Sequence, residues 1–290
     1  MPHKNPSGPK LPPLDGLDWN RGESQPGIAS DPPRPRPPRA AHVLPLALLT
    51  GLVGCATPPP PIETVPRPAA AGPKIRRLGR SVEGRTIRAC VFDGPGLPIL
   101  ILGGFHGDEP SSVYVAQRLA DVLKAQPDIR SGRHVVIVPN VNPDGYVRGT
   151  RCNARHVDLN RNFPTRNWRP SDPSSRYHGG PAPLSEPEAR LVHDLVEELQ
   201  PTAIISIHAI GRNRQCNNYD GPGRDLAELM ARHNGYPPEA SIGYPTPGSF
   251  GTWAGKELQI PTLTLELPAA ASNEQCWTDN RQALLAAIQR

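Results

Sequence analysis

Four side chains in this sequence have the types and positions needed to hold a cation and move a proton beside it. His106 and Glu109 stand three residues apart in "GGFHGDEPSS", directly after the apolar run "LPILIL". On either side of a tight turn or a first helical turn such a pair projects the same way, so both can reach one cation. Alone, the pattern is more often a polar loop capping a helix. His208 closes a second apolar run, "AIISIH", about a hundred residues further on. Two ligands close in sequence and a third from far away is how a catalytic zinc site is commonly assembled, with a fourth position left open for water.

Glu266 is the fourth residue. In "TLTLELP", Leu263, Leu265 and Leu267 point one way and Thr262, Thr264 and Glu266 the other, if the segment is a strand. Burying an unpaired carboxylate costs several kcal/mol, so Glu266 must be paired, near a metal, or on an exposed sheet edge. Beside a zinc site it could take a proton from water, which amide hydrolysis requires. A further cluster lies in "GTRCNARHVDLNRNFP", where Arg151 and Arg161 flank Asn153, Asn160 and Asn162. Guanidinium forks and amide donors at this density suit holding a carboxylate or polarising a carbonyl better than a merely solvated loop.

These groups need a scaffold, and the chain supplies alternating elements. "LPILILGG", "RHVVIVPN", "AIISIHA" and "TLTLELP" are short runs rich in Ile, Val and Leu, as expected of strands buried on both faces of a central sheet. Helical segments fall between them at Pro110 to Leu123, Glu186 to Leu199 and Arg224 to His233. Pro110 suits a first helical position, Val113, Ala116, Leu119 and Leu123 form one stripe, and Ser185 with Glu188 spells a capping box. Ligands of open α/β sheets bind beyond the carboxyl ends of strands, which is where His106, Glu109 and His208 fall. The irregular stretch from Tyr146 to Pro183 is long enough to expect a functional role.

Composition divides the 290 residues into parts, because the 39 prolines are concentrated near the start. Residues 1–54 read as a Pro-rich leader with a signal peptide, residues 55–73 as a Pro-rich linker, and residues 74–290 as one catalytic domain. Arg34, Arg36 and Arg39 precede an apolar core from Val43 to Val53, too short to span a bilayer, and the core ends in "LVGC". That tetrapeptide resembles a bacterial lipobox, which would make Cys55 the lipidated first residue of a periplasm-facing lipoprotein; Ala56 after it directs such a protein to the outer membrane. In an oxidising compartment Cys90, Cys152, Cys216 and Cys276 can form disulfides, and Cys216 with Cys276 is the favoured pair because both follow strands ending near the site. The net charge of +5 is spread thinly, so nucleic acid is not an expected partner.

"GRSVEGRTI", "HGDE", "NPDGY", "TRCN", "VDLNRNFP", "SEPE", "SIH" and "TLELP" occur in the order seen in zinc carboxypeptidases of the carboxypeptidase A type, covering about Leu78 to Pro268. The chain resembles that family, and most of all its short murein peptide amidase branch. The resemblance implies a three-layer α/β/α sandwich with a central mixed, mostly parallel sheet. It implies one zinc ion on His106, Glu109 and His208, Glu266 as general base and acid, and Arg151 as the group that polarises the scissile carbonyl. Asn160 and Arg161 would hold the substrate's terminal carboxylate, and Tyr244 would contact substrate from a mobile loop. Asp108 stands where the digestive enzymes carry an arginine, which suits a substrate with an extra ammonium. Phe250 falls near the side-chain pocket and offers it no charge. The implied reaction is hydrolysis of an amide next to a free carboxylate terminus, in this branch the γ-D-glutamyl-meso-diaminopimelate bond of murein peptides. A metallocarboxypeptidase acting on ordinary peptides, and a lipoprotein that binds cell-wall peptides without cutting them, are the alternatives.

Overall fold

The four apolar runs form the middle of a mixed sheet, and the sheet's two faces carry the core. A computed structural model describes residues 72–290; the leader, the apolar segment, Cys55 and nearly all of the linker lie outside the described residues. The strands are β1 (Lys74–Arg80), β2 (Thr86–Phe92), β3 (Ile99–Leu102), β4 (Val135–Val138), β5 (Ala203–Ile210), β6 (Cys216–Asp220), β7 (Pro238–Glu239) and β8 (Thr262–Pro268). They lie side by side in the order β1-β2-β4-β3-β5-β8-β6-β7. β3 runs parallel to β4 and β5, and β5 parallel to β8, while β1, β2 and β4 pair antiparallel and β6 runs against β8. The helices are α1 (Pro110–Ala125), α2 (Pro143–Arg148), α3 (Pro187–Leu199), α4 (Arg224–Asn234) and α5 (Asn273–Gln289), with a π-helix at Thr252–Glu257.

Strand alternation sorts the apolar side chains into two cores. Ile101, Ile137, Ile205, Ile207, Leu263, Leu265 and Leu267 face one way and pack with Val115, Leu119 and Leu123 of α1, Met230 of α4 and Leu284 of α5. Leu100, Leu102, Val136, Val138 and Ile204 face the other way, against Val192, Leu195 and Val196 of α3. The fold is therefore a three-layer α/β/α sandwich. Each fully buried Leu, Ile or Val contributes about 1.5–3 kcal/mol of transfer free energy, so both faces must stay covered for the central strands to hold their register. The register of β5 on β8 sets His208 opposite Glu266.

Several expectations need correcting. β8 is flanked by β5 and β6, so an exposed sheet edge does not account for Glu266. The Ser185–Glu188 capping box is not formed: Ser185 donates its hydroxyl to Glu186 and accepts from Asn162, while Glu188 accepts from the Val82 amide and from Asn153. Cys90, Cys152, Cys216 and Cys276 are all free thiols. Cys216 pairs in register with Glu266, on the sheet face away from Leu265 and Leu267, whereas Cys276 lies in the core those leucines share. The sheet separates the two thiols favoured as a pair.

Candidate metal centre and its cavity

The turn after β3 and the end of β5 bring His106, Glu109 and His208 together, with one ligating atom from each lying within 4.8 Å of the others. A close approach holds the first turn in place. A Cβ on Gly107 would stand 1.9 Å from the carbonyl carbon of Gly145 in α2, so only glycine lets the two segments touch. Glu109 caps α1 just before Pro110, with its carboxylate turned toward the histidines. Its Oε1 lies 2.8 Å from His106 Nδ1, and its Oε2 lies 3.2 Å from His208 Nδ1 and accepts the Ala209 amide at 3.0 Å. The His208 ring stacks on Phe105, centroids 5.6 Å apart and planes inclined by 13°, which fixes its direction.

Asp158 organises the far side of His106, and the sequence motif containing it gave no sign of this. Asp158 is fully buried; its Oδ1 lies 3.0 Å from His106 Nε2, and its Oδ2 accepts from Arg151 Nε at 3.0 Å and Nη2 at 2.9 Å. An imidazole that gives its outer N–H to a carboxylate presents its other nitrogen as a lone pair, the arrangement usual behind a metal-bound histidine. Two imidazoles and one carboxylate, buried together with that support, fit zinc. The electrostatics agree. Burial opposes charging His106, yet the carboxylates of Glu109 and Asp158 outweigh it and push the imidazole up to about 9. Glu109 and Asp158 lie far below the usual carboxylate range, because His106 and, for Asp158, Arg151 overcome the desolvation that would raise them. Burial lowers His208. The proton that the cluster draws onto His106 is one that a bound cation displaces.

Glu266 faces this cluster from β8. It is only 7% exposed, and among the described residues its carboxylate makes no hydrogen bond. Burial first, then the charge of Glu109, pushes it up to about 8, and a positive charge at the cluster opposes that shift. The groups open into a cavity of about 570 Å³ whose wall includes Arg151, Asn160, Arg161, Tyr244 and Glu266.

The zinc carboxypeptidase family model matches residues 73–220. Murein peptide amidase A of Escherichia coli K12 is 35% identical over 229 residues, covering 73% of this chain and 90% of the relative. The chain belongs to the zinc carboxypeptidase family. The crystal structure of the murein-tripeptide amidase from Escherichia coli O157 is 32% identical and superposes with a TM-score of 0.61, covering 76% of this chain and 94% of that one. A gamma-D-glutamyl-L-diamino acid endopeptidase of Lysinibacillus sphaericus is 28% identical over 155 residues, 50% of this chain and 38% of that protein.

In this zinc carboxypeptidase the asparagines of the long loop divide between two tasks. Asn153 is occupied with Glu186 and Glu188 and with the amides of Arg155 and Val157, and Asn162 ties Gly179, Ala182 and Ser185 to the Glu186 amide. Both are architectural. Asn160 alone of the three lines the cavity: its Oδ1 accepts the Phe250 amide at 2.9 Å, leaving its NH₂ beside His208 at 3.5 Å. Arg161 is nearly buried and braces Nη1 on the Asn160 carbonyl at 2.6 Å. Tyr177, unnoticed in the sequence, lies under the Arg151, Arg161 and Arg176 guanidiniums at 5.2, 5.6 and 5.5 Å. Tyr244 is 42% exposed on the cavity rim.

Asp108 is not among the residues that line the cavity, and its carboxylate lies 3.9 Å from Arg176. Phe250 lies near the cavity, between its lining residues Ser249 and Gly251, and its ring, buried among Phe105, Phe163 and Trp253, brings no charge there. Charge enters the far part of the cavity through Asp220 and Lys256, which the sequence did not single out.

Proposed function

We propose that this zinc carboxypeptidase hydrolyses the amide bond between γ-D-glutamate and a diamino acid, meso-diaminopimelate, in murein-derived peptides, releasing the residue that bears the free carboxylate. One observation carries the reading: a buried carboxylate with no hydrogen-bond partner among the described residues, Glu266, faces a His106–Glu109–His208 cluster across a cavity that also contains Arg151, Asn160 and Arg161. The choice of bond draws support from the murein peptide amidases and the diamino acid endopeptidase that the chain is similar to.

His106, Glu109 and His208 are the residues that would hold zinc, whose Lewis acidity makes water acidic near neutral pH and polarises carbonyl oxygens. Glu266 takes the proton from the attacking water and returns it to the leaving amine. Asp158 pins Nε and Nη2 of Arg151, which directs Nη1, 3.6 Å from Glu109 Oε1, toward the cluster, where it donates to the oxyanion, a contact worth roughly 2.7–4 kcal/mol in comparable sites. Asn160 and Arg161 clamp the free carboxylate of the departing residue, which restricts cleavage to a chain end.

Export belongs to the same proposal. The apolar core from Val43 to Val53 followed by "LVGC" supports lipidation at Cys55 and a periplasm-facing, outer-membrane location, where murein peptides are generated. Loss of lipid labelling in a Cys55→Ser variant is the expected result.

The activity is tested by mass spectrometry of the full-length protein incubated with L-Ala-γ-D-Glu-meso-diaminopimelate and, in parallel, with a mixture of ordinary peptides, with and without a chelator. Chelator-sensitive release of diaminopimelate is expected. Trimming of ordinary peptides alone would make the protein a general carboxypeptidase, and no turnover of either would leave a binding protein.

A further inference from the structure

The cavity does not end at Glu266. β6 runs antiparallel to β8 with Cys216 opposite Glu266, Asn218 opposite Thr264 and Asp220 opposite Thr262. Side chains two apart on a strand share a face, so Glu266, Thr264, Asn218 and Asp220 lie on one side of the sheet, and all four line the cavity. Asp220 is four residues along β6 from the position opposite Glu266, roughly 14 Å at a strand's rise per residue. That distance suits a long side chain extending away from the bond being cut.

At that far position stands an ion pair. Lys256 Nζ lies 3.0 Å from Asp220 Oδ1, the lysine side chain is 55% exposed and the aspartate 12%, and both residues line the cavity. The backbone is shaped around the aspartate. A Cβ on Gly251 would stand 2.2 Å from Asp220 Oδ2, and one on Gly255 would stand 2.5 Å from Asp220 Cβ. Gly251 and Asp220 both line the cavity, so the space that a side chain at 251 would fill lies against Oδ2. A pair whose cation is half in solvent contributes little by itself, so its members can exchange each other for a ligand at small cost.

A lone aspartate here would select an ammonium, and a lone lysine a carboxylate. We infer that Asp220 and Lys256 together form a subsite for a side chain ending in a zwitterion, an α-amino-acid head whose ammonium meets Asp220 and whose carboxylate meets Lys256. This rests on the proposed hydrolysis of γ-D-glutamyl-diamino acid peptides and deepens it, because the distal end of meso-diaminopimelate is such a head on a trimethylene spacer. Lysine offers only the ammonium. The subsite thus gives the enzyme a physical means of separating the two diamino acids.

The test measures kcat/KM of the zinc-loaded full-length enzyme on L-Ala-γ-D-Glu-X, with X as meso-diaminopimelate, L-lysine, L-2-aminopimelate or L-norleucine. Wild type is expected to favour diaminopimelate. Asp220→Asn should shrink its advantage over 2-aminopimelate, which lacks the ammonium, and Lys256→Met its advantage over lysine, which lacks the carboxylate, each by about ten- to a hundredfold. Lys256→Glu should shift preference toward the lysine peptide; because Lys256 is largely exposed, this variant still decides the matter if the Asp220 variant fails to fold. If the Lys256 variants, together with any folded Asp220 variant, scale all four substrates equally, the pair is only a strut between β6 and the π-helix, and the inference is overturned while the hydrolase reading stands. If wild type cleaves none of the four, the hydrolase reading itself fails and the subsite falls with it.

Discussion

The two ends of the cavity are held in different ways. At the metal end, His106 is fixed through both ring nitrogens, Glu109 by two histidines and a backbone amide, and Asp158 by an imidazole, a guanidinium and the Asn160 amide. At the other end, Asp220 meets a half-exposed lysine, and on the rim, within reach of the charges of Arg161 and Glu266, Tyr244 stands 42% exposed. Chemistry needs groups fixed to a fraction of an ångström before the reaction begins, whereas recognition can use groups that exchange solvent or one another for substrate. Substitutions at the metal end should therefore change turnover or zinc affinity, and those further out should change KM and substrate preference.

The sharpest test of that division is Glu266→Gln. The amide keeps the shape of the side chain but cannot accept and return a proton, so kcat should fall about a thousandfold or more while zinc content and folding are retained. Near-normal turnover would remove Glu266 from its role as base. Asp158→Asn should have the next largest effect. The amide NH₂ would compete with Arg151 for space or leave His106 in the wrong tautomer, and zinc affinity should fall about 10- to 100-fold in competition with a chelator. Unchanged affinity would mean that the metal end does not depend on its buried support.

Legibility in the sequence follows the same division. His106, Glu109, His208 and Glu266 stand out because a paired ligand spacing and an ionisable group within an apolar strand are anomalies. Asp158 carries no such anomaly, since an aspartate before a polar turn looks like any loop residue, and only its burial reveals its partners. Asp220 precedes Gly221 and Pro222 and so reads as a turn, and Lys256 reads as a solvated charge; their meeting depends on the pairing of β6 with β8 and on two glycines of the segment from 251 to 255. The central strands were legible as runs of Ile, Val and Leu. The β1–β2 hairpin was not, because Arg76, Arg77, Arg80, Arg85 and Arg88 interrupt its apolar alternation.

Tyr177, packed under the arginines rather than on the cavity wall, should give an intermediate result. Its ring supports Arg151 and Arg161, one assigned to the oxyanion and one to the terminal carboxylate. Each such contact is worth about 0.5–1 kcal/mol at an exposed site. Tyr177→Leu should lower kcat/KM about tenfold. A loss carried by KM would locate the effect at Arg161, and one carried by kcat at Arg151; a loss of thermal stability with normal kinetics would show that the ring only packs.

Tyr244 should matter least, and the reason sharpens the comparison. Partial burial raises its phenol above the usual range, so it remains a hydrogen-bond donor at neutral pH. Its ring is nevertheless open to water, and a donor that exchanges solvent for substrate gains only about 0.5–1.5 kcal/mol. Tyr244→Phe should raise KM about two- to fivefold and leave kcat nearly unchanged, as measured by steady-state kinetics on the γ-D-glutamyl-diaminopimelate peptide. A hundredfold fall in kcat would instead make the rim tyrosine part of the proton-transfer machinery, and the division between a fixed reacting end and an exchangeable recognising end would no longer describe this cavity.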